Sequence, residues 1–175
     1  MTKPSRSDAG APRKPARARA GSAPRKAAQR VTPEVYNAFI AGVDLVSVRL
    51  AGAEISAAST PARKQLLPTV EQTARFAHED EQVVIIHELT FAGRYEDEDE
   101  DDPAVFIRAE FEVRYSAAER MTDQIFAEFR RRNLPLNTWP YFREFVHAVL
   151  ARTGWPVFVL PVYKAVGAPL SPSSE

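Results

Sequence analysis

The cleanest alternation in this chain runs from Val105 to Tyr115. Val105, Ile107, Ala109, Phe111, Val113 and Tyr115 fall on one side, and Phe106, Arg108, Glu110, Glu112 and Arg114 on the other. Period two of this kind marks a β-strand with one buried face. An earlier strand places Val83, Ile85, His87, Leu89 and Phe91 on one face and Val84, Ile86, Glu88, Thr90 and Ala92 on the other. Its first half is apolar on both faces, as in a central strand or one covered by a partner. Between the two stand seven consecutive acids, Glu96 to Asp102, closed by Pro103. Their mutual repulsion predicts a solvated hairpin loop, and so an antiparallel pair. Two weaker strands lie upstream. One covers 44–57, with Val46, Val48 and Leu50 on one face. The other runs from Val70 to His78 and ends in a turn at Glu79-Asp80-Glu81.

Three helices complete the pattern. Thr32-Pro33-Glu34 offers a capping hydroxyl, a proline at the first helical position and an acid, and predicts a short helix ending near Gly42. Ser116-Ala117-Ala118-Glu119 reads as a capping box opening a helix to about Arg132, with Met121, Ile125, Phe126 and Phe129 as its apolar spots. Residues 133–137 break it. Thr138 and Pro140 are expected to cap a further helix that runs to about Thr153 and stops at Gly154, carrying a wide apolar stripe of Tyr141, Phe142, Phe145, Val146, Val149 and Leu150. Trp155 to Tyr163 is an apolar extended stretch. Strands followed by helices predict an α+β fold, with helices gathered on one face of an antiparallel sheet.

Charge divides the chain. Residues 1–30 carry nine basic groups and one acid, a net +8. The whole chain has 23 of each sign, so residues 31–175 hold 14 basic and 22 acidic groups, a net −8. Residues 1–30 have almost no large apolar side chains and are expected to be a disordered basic tail. Residues 31–163 are then the single domain, and 164–175 a flexible C-terminus. The basic start is followed by no apolar segment, so no secretory signal is expected. No apolar run reaches the roughly 20 residues that span a bilayer. With no cysteine in the chain, thiol nucleophiles, thiolate metal sites and disulfides are excluded, and a cytoplasmic location without membrane insertion is expected.

Chemistry-bearing patterns are sparse. The histidines are His78, His87 and His147, scattered along the chain. His87 lies on an apolar strand face and is expected to be packed and hydrogen-bonded rather than catalytic. There is no nucleophile elbow, phosphate-cradling loop or dinucleotide fingerprint. The densest carboxylates occupy a loop, which does not hold a general acid and base in geometry. No enzyme activity, metal or other cofactor is expected. Aromatic residues are less evenly placed: of 17, nine fall between Phe126 and Tyr163. That surplus points to an exposed apolar patch at a subunit or ligand interface.

Two segments carry a resemblance. Asn137-Thr138-Trp139-Pro140-Tyr141-Phe142-Arg143-Glu144-Phe145-Val146 resembles the start of the long helix in the SecB family of protein-export chaperones. Gly154-Trp155-Pro156 followed by Val159-Leu160-Pro161-Val162 is similar to that family's next motif. The resemblance covers roughly residues 35–163 and is strongest from about 133 to 163. It implies a four-stranded antiparallel sheet with helices on one face, protomers paired through their sheets, and two dimers packed through the long helices into a homotetramer. It also implies a nucleotide-independent holdase that binds unfolded polypeptides in apolar grooves. The implied client-binding residues are Phe129, Leu134, Leu136, Trp139, Trp155 and Phe158. The implied oligomer interface is Tyr141, Phe142, Phe145, Val146 and Val149. After Pro161 the family continues into an amphipathic helix and a tail that contacts the SecA motor. Here Val162 to Glu175 do not read as a helix, which argues against SecA as a partner. Export of preproteins and chaperoning of an antitoxin in a toxin–antitoxin system both remain open.

Two other classes compete: a subunit whose aromatics serve only self-assembly, and a nucleic-acid or ribosome-associated protein using residues 1–30 as its arm. Such an arm would bind phosphate non-specifically and with steep salt dependence. Deleting residues 1–30 separates the readings. For a chaperone, binding of an unfolded polypeptide should persist after the deletion; for a nucleic-acid protein, nucleic-acid binding in a gel-shift assay should vanish.

Overall fold

The computed structural model describes residues 31–58, 66–95 and 103–164. The basic tail, the acidic run at 96–102 and residues 165–175 lie outside the described residues. The elements in chain order are α1 (Pro33–Ala41), β1 (Val43–Ala57), β2 (Leu66–Glu79), β3 (Gln82–Tyr95), β4 (Val105–Ala117), α2 (Asp123–Arg132) and α3 (Leu134–Thr153). The strands form one antiparallel sheet in the order β1-β4-β3-β2. The expected α+β architecture, a four-stranded antiparallel sheet with helices on one face, is the one observed.

β3 and β4 form the centre, and their inward rows stand side by side. Val83 pairs with Tyr115, Ile85 with Val113, His87 with Phe111, Leu89 with Ala109 and Phe91 with Ile107. All ten are buried. This row is the floor of the core, which α2, α3 and the segment after α3 cover. The outer face mixes apolar residues, Val84, Ile86, Ala92 and Phe106, with a lace of ion pairs: Arg49 and Arg114 both engage Glu112, Arg114 reaches Glu79, and Arg108 meets Glu54.

β1 departs from simple alternation. The register with β4 shifts between Leu45 and Ser47 and again between Leu50 and Gly52, so Val46 and Ala51 are extra residues in bulges. Val46 therefore does not share a face with Val48 and Leu50 as expected. The inward row is instead Leu45, Val48, Leu50, Ala53 and Ile55, set opposite Tyr115, Val113, Phe111, Ala109 and Ile107.

The helix starts also differ. The ladder continues through Ser116 and Ala117, which pair with Asp44 and Val43. That pairing holds the expected capping box in strand geometry, and Thr122 caps α2 instead, its Oγ1 accepting from the Ile125 amide at 3.3 Å. The break before α3 shrinks to Asn133 alone. α3 starts at Leu134 with a proline in its first turn, a position where no N–H is missed. Thr138 and Pro140 thus lie inside the helix rather than capping it. Tyr36 Oη donates to Asn133 Oδ1 at 2.6 Å and ties α1 to this junction. Gly154 ends α3 at φ 75°, the left-handed conformation that glycine adopts without a Cβ penalty.

Phe142 is the fully buried anchor of α3 against the sheet. Phe142→Ala should cost about 3–5 kcal/mol of stability by the usual large-to-small penalty, read as a lower urea midpoint with an unchanged slope.

Candidate functional site

The helix-side face of the sheet is covered unevenly. Under α2 and α3 it is dry: Phe129 stands edge-on to both Phe39 and Tyr115, with centroids 6.3 and 5.1 Å away. Phe76 of β2 meets Phe126 at 4.5 Å. At the β1 edge the same face is open. Leu45, Leu50 and Ile55 are 46%, 44% and 47% exposed despite pointing to the apolar side. Tyr141 on the adjacent surface of α3 is 52% exposed, with its ring 6.4 Å from Phe111. Phe145, one turn further, is half-buried. The inward row of an edge strand and one stripe of α3 thus leave large apolar side chains open to solvent, beside backbone groups with no strand partner among the described residues.

The segment after α3 covers the other end of the face. Trp155 stacks on Tyr95 with centroids 6.0 Å apart, and its Nε1 donates to the Ala58 carbonyl at 3.3 Å. Phe158 lies 6.0 Å from Phe91. Trp139 Nε1 donates to the Pro161 carbonyl at 2.7 Å, and Tyr163 Oη donates to the Arg131 carbonyl at 2.9 Å.

The structure places the expected client-binding residues in different settings. Phe129, Leu134 and Trp155 are buried and pack the core. Leu136 is exposed, and Trp139 and Phe158 are half-buried at the surface. Of the expected oligomer residues, Phe142, Val146 and Val149 are buried against the protomer's own sheet, which leaves Tyr141 and Phe145 as the accessible pair. The exposed β1 row was not anticipated from the sequence. Its only sequence signal is the spacing of apolar residues at 45, 48, 50 and 55, which fits neither period two nor 3.6 without the bulges.

Among the described residues His87 is the one buried titratable base on this face. Its Nδ1 lies 2.8 Å from Thr138 Oγ1 and its Nε2 3.1 Å from Gln72 Oε1. Thr138 Oγ1 is also 3.1 Å from the Leu134 carbonyl. A hydroxyl owns one proton, so it serves ring and carbonyl alternately. With the proton on the carbonyl side, Nδ1–H donates to the hydroxyl; with it on the ring side, Nε2–H donates to Gln72. Burial pushes the pKa of His87 down to about 4. Burial likewise pushes the Tyr36 and Tyr115 phenols up to about 12. No group of metal-ligating side chains occurs among the described residues, and none of their helices is long and apolar enough to cross a membrane.

Comparison with known proteins adds a fold. No protein-family model matches the chain, and no curated protein does either. Among solved structures, the Mycobacterium tuberculosis SecB-like chaperone Rv1957, solved in complex with a ChAD peptide from the Rv1956 HigA1 antitoxin, matches with a TM-score of 0.64. The match covers 74% of this chain and 97% of that one at 14% identity. The fold is SecB-like. A protein of unknown function from Streptococcus agalactiae also aligns, over 69% of this chain and 97% of its own at 15% identity, with a TM-score of only 0.40. In the SecB-like frame of this chain the apolar face of the sheet is shared between α2, α3 and the C-terminal segment, and open at β1.

The buried imidazole makes stability pH-dependent. The unfolded state takes up a proton on His87 near pH 6.5, while the folded state resists it down to about pH 4. Stability is therefore full above pH 6.5 and falls as pH drops towards 4, by roughly 3 kcal/mol in total. Urea midpoints measured from pH 7 to 4.5 should decline, and His87→Gln should flatten that decline.

Proposed function

We propose that this protein is an ATP-independent holdase for non-native polypeptides, acting in the cytoplasm, with a dedicated client of the antitoxin class favoured over general export. One observation carries the reading: on a SecB-like frame, apolar side chains beyond the β1 row and the Tyr141–Phe145 stripe stay at the surface, with Leu136 exposed and Trp139 and Phe158 half-buried. Unfolded chains expose apolar surface, and such a face recognises it without needing a particular sequence. The antitoxin preference rests on the similar structure, which holds an antitoxin peptide. The charged, ion-paired residues on the outer face of the sheet help to keep such a particle soluble.

In this reading β1 edges pair two protomers, and Tyr141 and Phe145 contribute to packing two dimers into a homotetramer. Leu136, Trp139 and Phe158 contact the client, while Phe129, Leu134 and Trp155 shape the surface from beneath. Phe142, Val146 and Val149 fix α3 to its own sheet so that the stripe beside them is presented.

The test is aggregation of chemically denatured proteins diluted into buffer without nucleotide. The expected result is full suppression near one tetramer per client, weakened several-fold by Leu136→Ser, with light scattering giving a tetramer that Tyr141→Glu dissociates. Suppression for an antitoxin-type client alone would establish the dedicated role. No suppression for any client, with the tetramer intact, would leave self-assembly as the function.

A further inference from the structure

Residues Trp155–Lys164 have the form of a bound ligand. They make neither helix nor strand, yet they lie extended over the apolar face. Trp155 and Leu160 are buried and Phe158 is half-buried, while Val157, Val159 and Val162 are exposed. Inward residues thus sit at spacings of three and two, with the intervening valines turned to solvent. The hydrogen bonds of the segment fall at its two ends. Trp155 is held at one end by Leu150 and Ala58, and Pro161 and Tyr163 at the other by Trp139 and Arg131. The middle is held by side-chain burial, and prolines at 156 and 161 remove two amides that would otherwise need partners.

This is the mode of binding that suits an unfolded client: extended, pocketed through alternate large side chains, and undemanding of backbone pairing. We propose that the Trp155–Lys164 strap is a built-in competitor for the client site. A client segment with aromatic and branched residues at similar spacing takes the places of Phe158 and Leu160 on the face, so that the client contact assigned above to Phe158 passes to Phe91 beneath it. The proposal rests on the chaperone reading and adds regulation to it. The free protein keeps its stickiest surface covered, and client affinity is reduced by the fraction of molecules with the strap closed. The Tyr163 hydroxyl and the Trp139 indole are the latches, because each bonds a main-chain carbonyl on the opposite partner of the closure. The outward valines offer a rival arrangement, in which the client lies over a strap that stays in place.

Of the two tryptophans of the chain, Trp155 opens the strap and Trp139 is bonded to it at Pro161, so intrinsic fluorescence reports its position. The full-length protein is titrated with a permanently unfolded, tryptophan-free polypeptide, a reduced and carboxymethylated ribonuclease. Binding is read independently by anisotropy of a dye on that polypeptide. The expected result is a red shift of tryptophan emission that tracks binding, and about five-fold tighter binding to Tyr163→Phe, the change that corresponds to losing one net hydrogen bond of about 1 kcal/mol. Leu160→Ala, which loosens the buried middle of the strap and leaves both tryptophans in place, serves as the second variant if the first does not fold. Binding with unchanged emission and unchanged affinity in the variant would overturn the strap while leaving the holdase standing. Absence of binding to wild type and variant alike would overturn the strap as the cover of a general client site, and would confine the holdase reading to a dedicated client.

Discussion

The paired inward rows of β3 and β4 are the surface to which everything else in this protein is fitted. Ten contiguous side chains, from the Val83–Tyr115 pair to the Phe91–Ile107 pair, form an apolar floor longer than α2 and α3 alone can cover. Burial of that area is the principal driving force for the fold. The way the cover is divided gives each remaining element its role. α3 takes the middle through Phe142 and Val146, and α2 takes the β2 side through Phe126 and Phe129. The strap takes the end of β3 through Trp155 and Phe158. β1 extends the floor beyond the roof and is left open.

That incomplete roof links folding to function. A protein that buried all of its apolar face would be more stable and would have nothing to offer an unfolded chain. In the proposed reading the open β1 row and the α3 stripe serve association between protomers, and the strap is cover that a client can exchange. Its polar anchors lie at its ends, and its interior contacts are those any extended apolar segment could reproduce. The His87–Thr138–Gln72 cluster plays a different part. It fastens α3 to the β2–β3 half of the sheet by directional bonds in a dry setting, where an unpaired polar atom would be costly. A protein whose surface is partly sticky gains from such a fixed point, because it holds the roof in one register while the edges remain available.

What could be read from residues alone follows from periodicity. β3 and β4 were legible face by face because alternation over ten residues leaves one solution once one face is buried. Their hairpin relation was legible too. The charged outer row of β4, the burial of His87, the cap at Thr32 and the stop at Gly154 follow from equally local rules. Resemblance in two segments, at 137–146 and 154–162, pointed to the SecB-like fold that the structure bears out.

Other features needed the tertiary structure because they are settled by partners distant in sequence. The bulges at Val46 and Ala51 reassign the faces of β1, and only the register against β4 reveals them. Ser116 to Glu119 satisfies the local rule for a helix cap, yet Val43 and Asp44 claim its first two residues for the sheet. The long α3 absorbs Pro140 because the burial of Leu134, Thr138 and Phe142 outweighs one missing amide. The candidate site is split the same way. The sequence alone determined which residues are large and apolar, and that they are too many for a simple core. Exposure is a property of neighbours, so only the packed chain could separate Phe129 and Leu134, which hold the core, from Leu136 and Tyr141, which face the solvent.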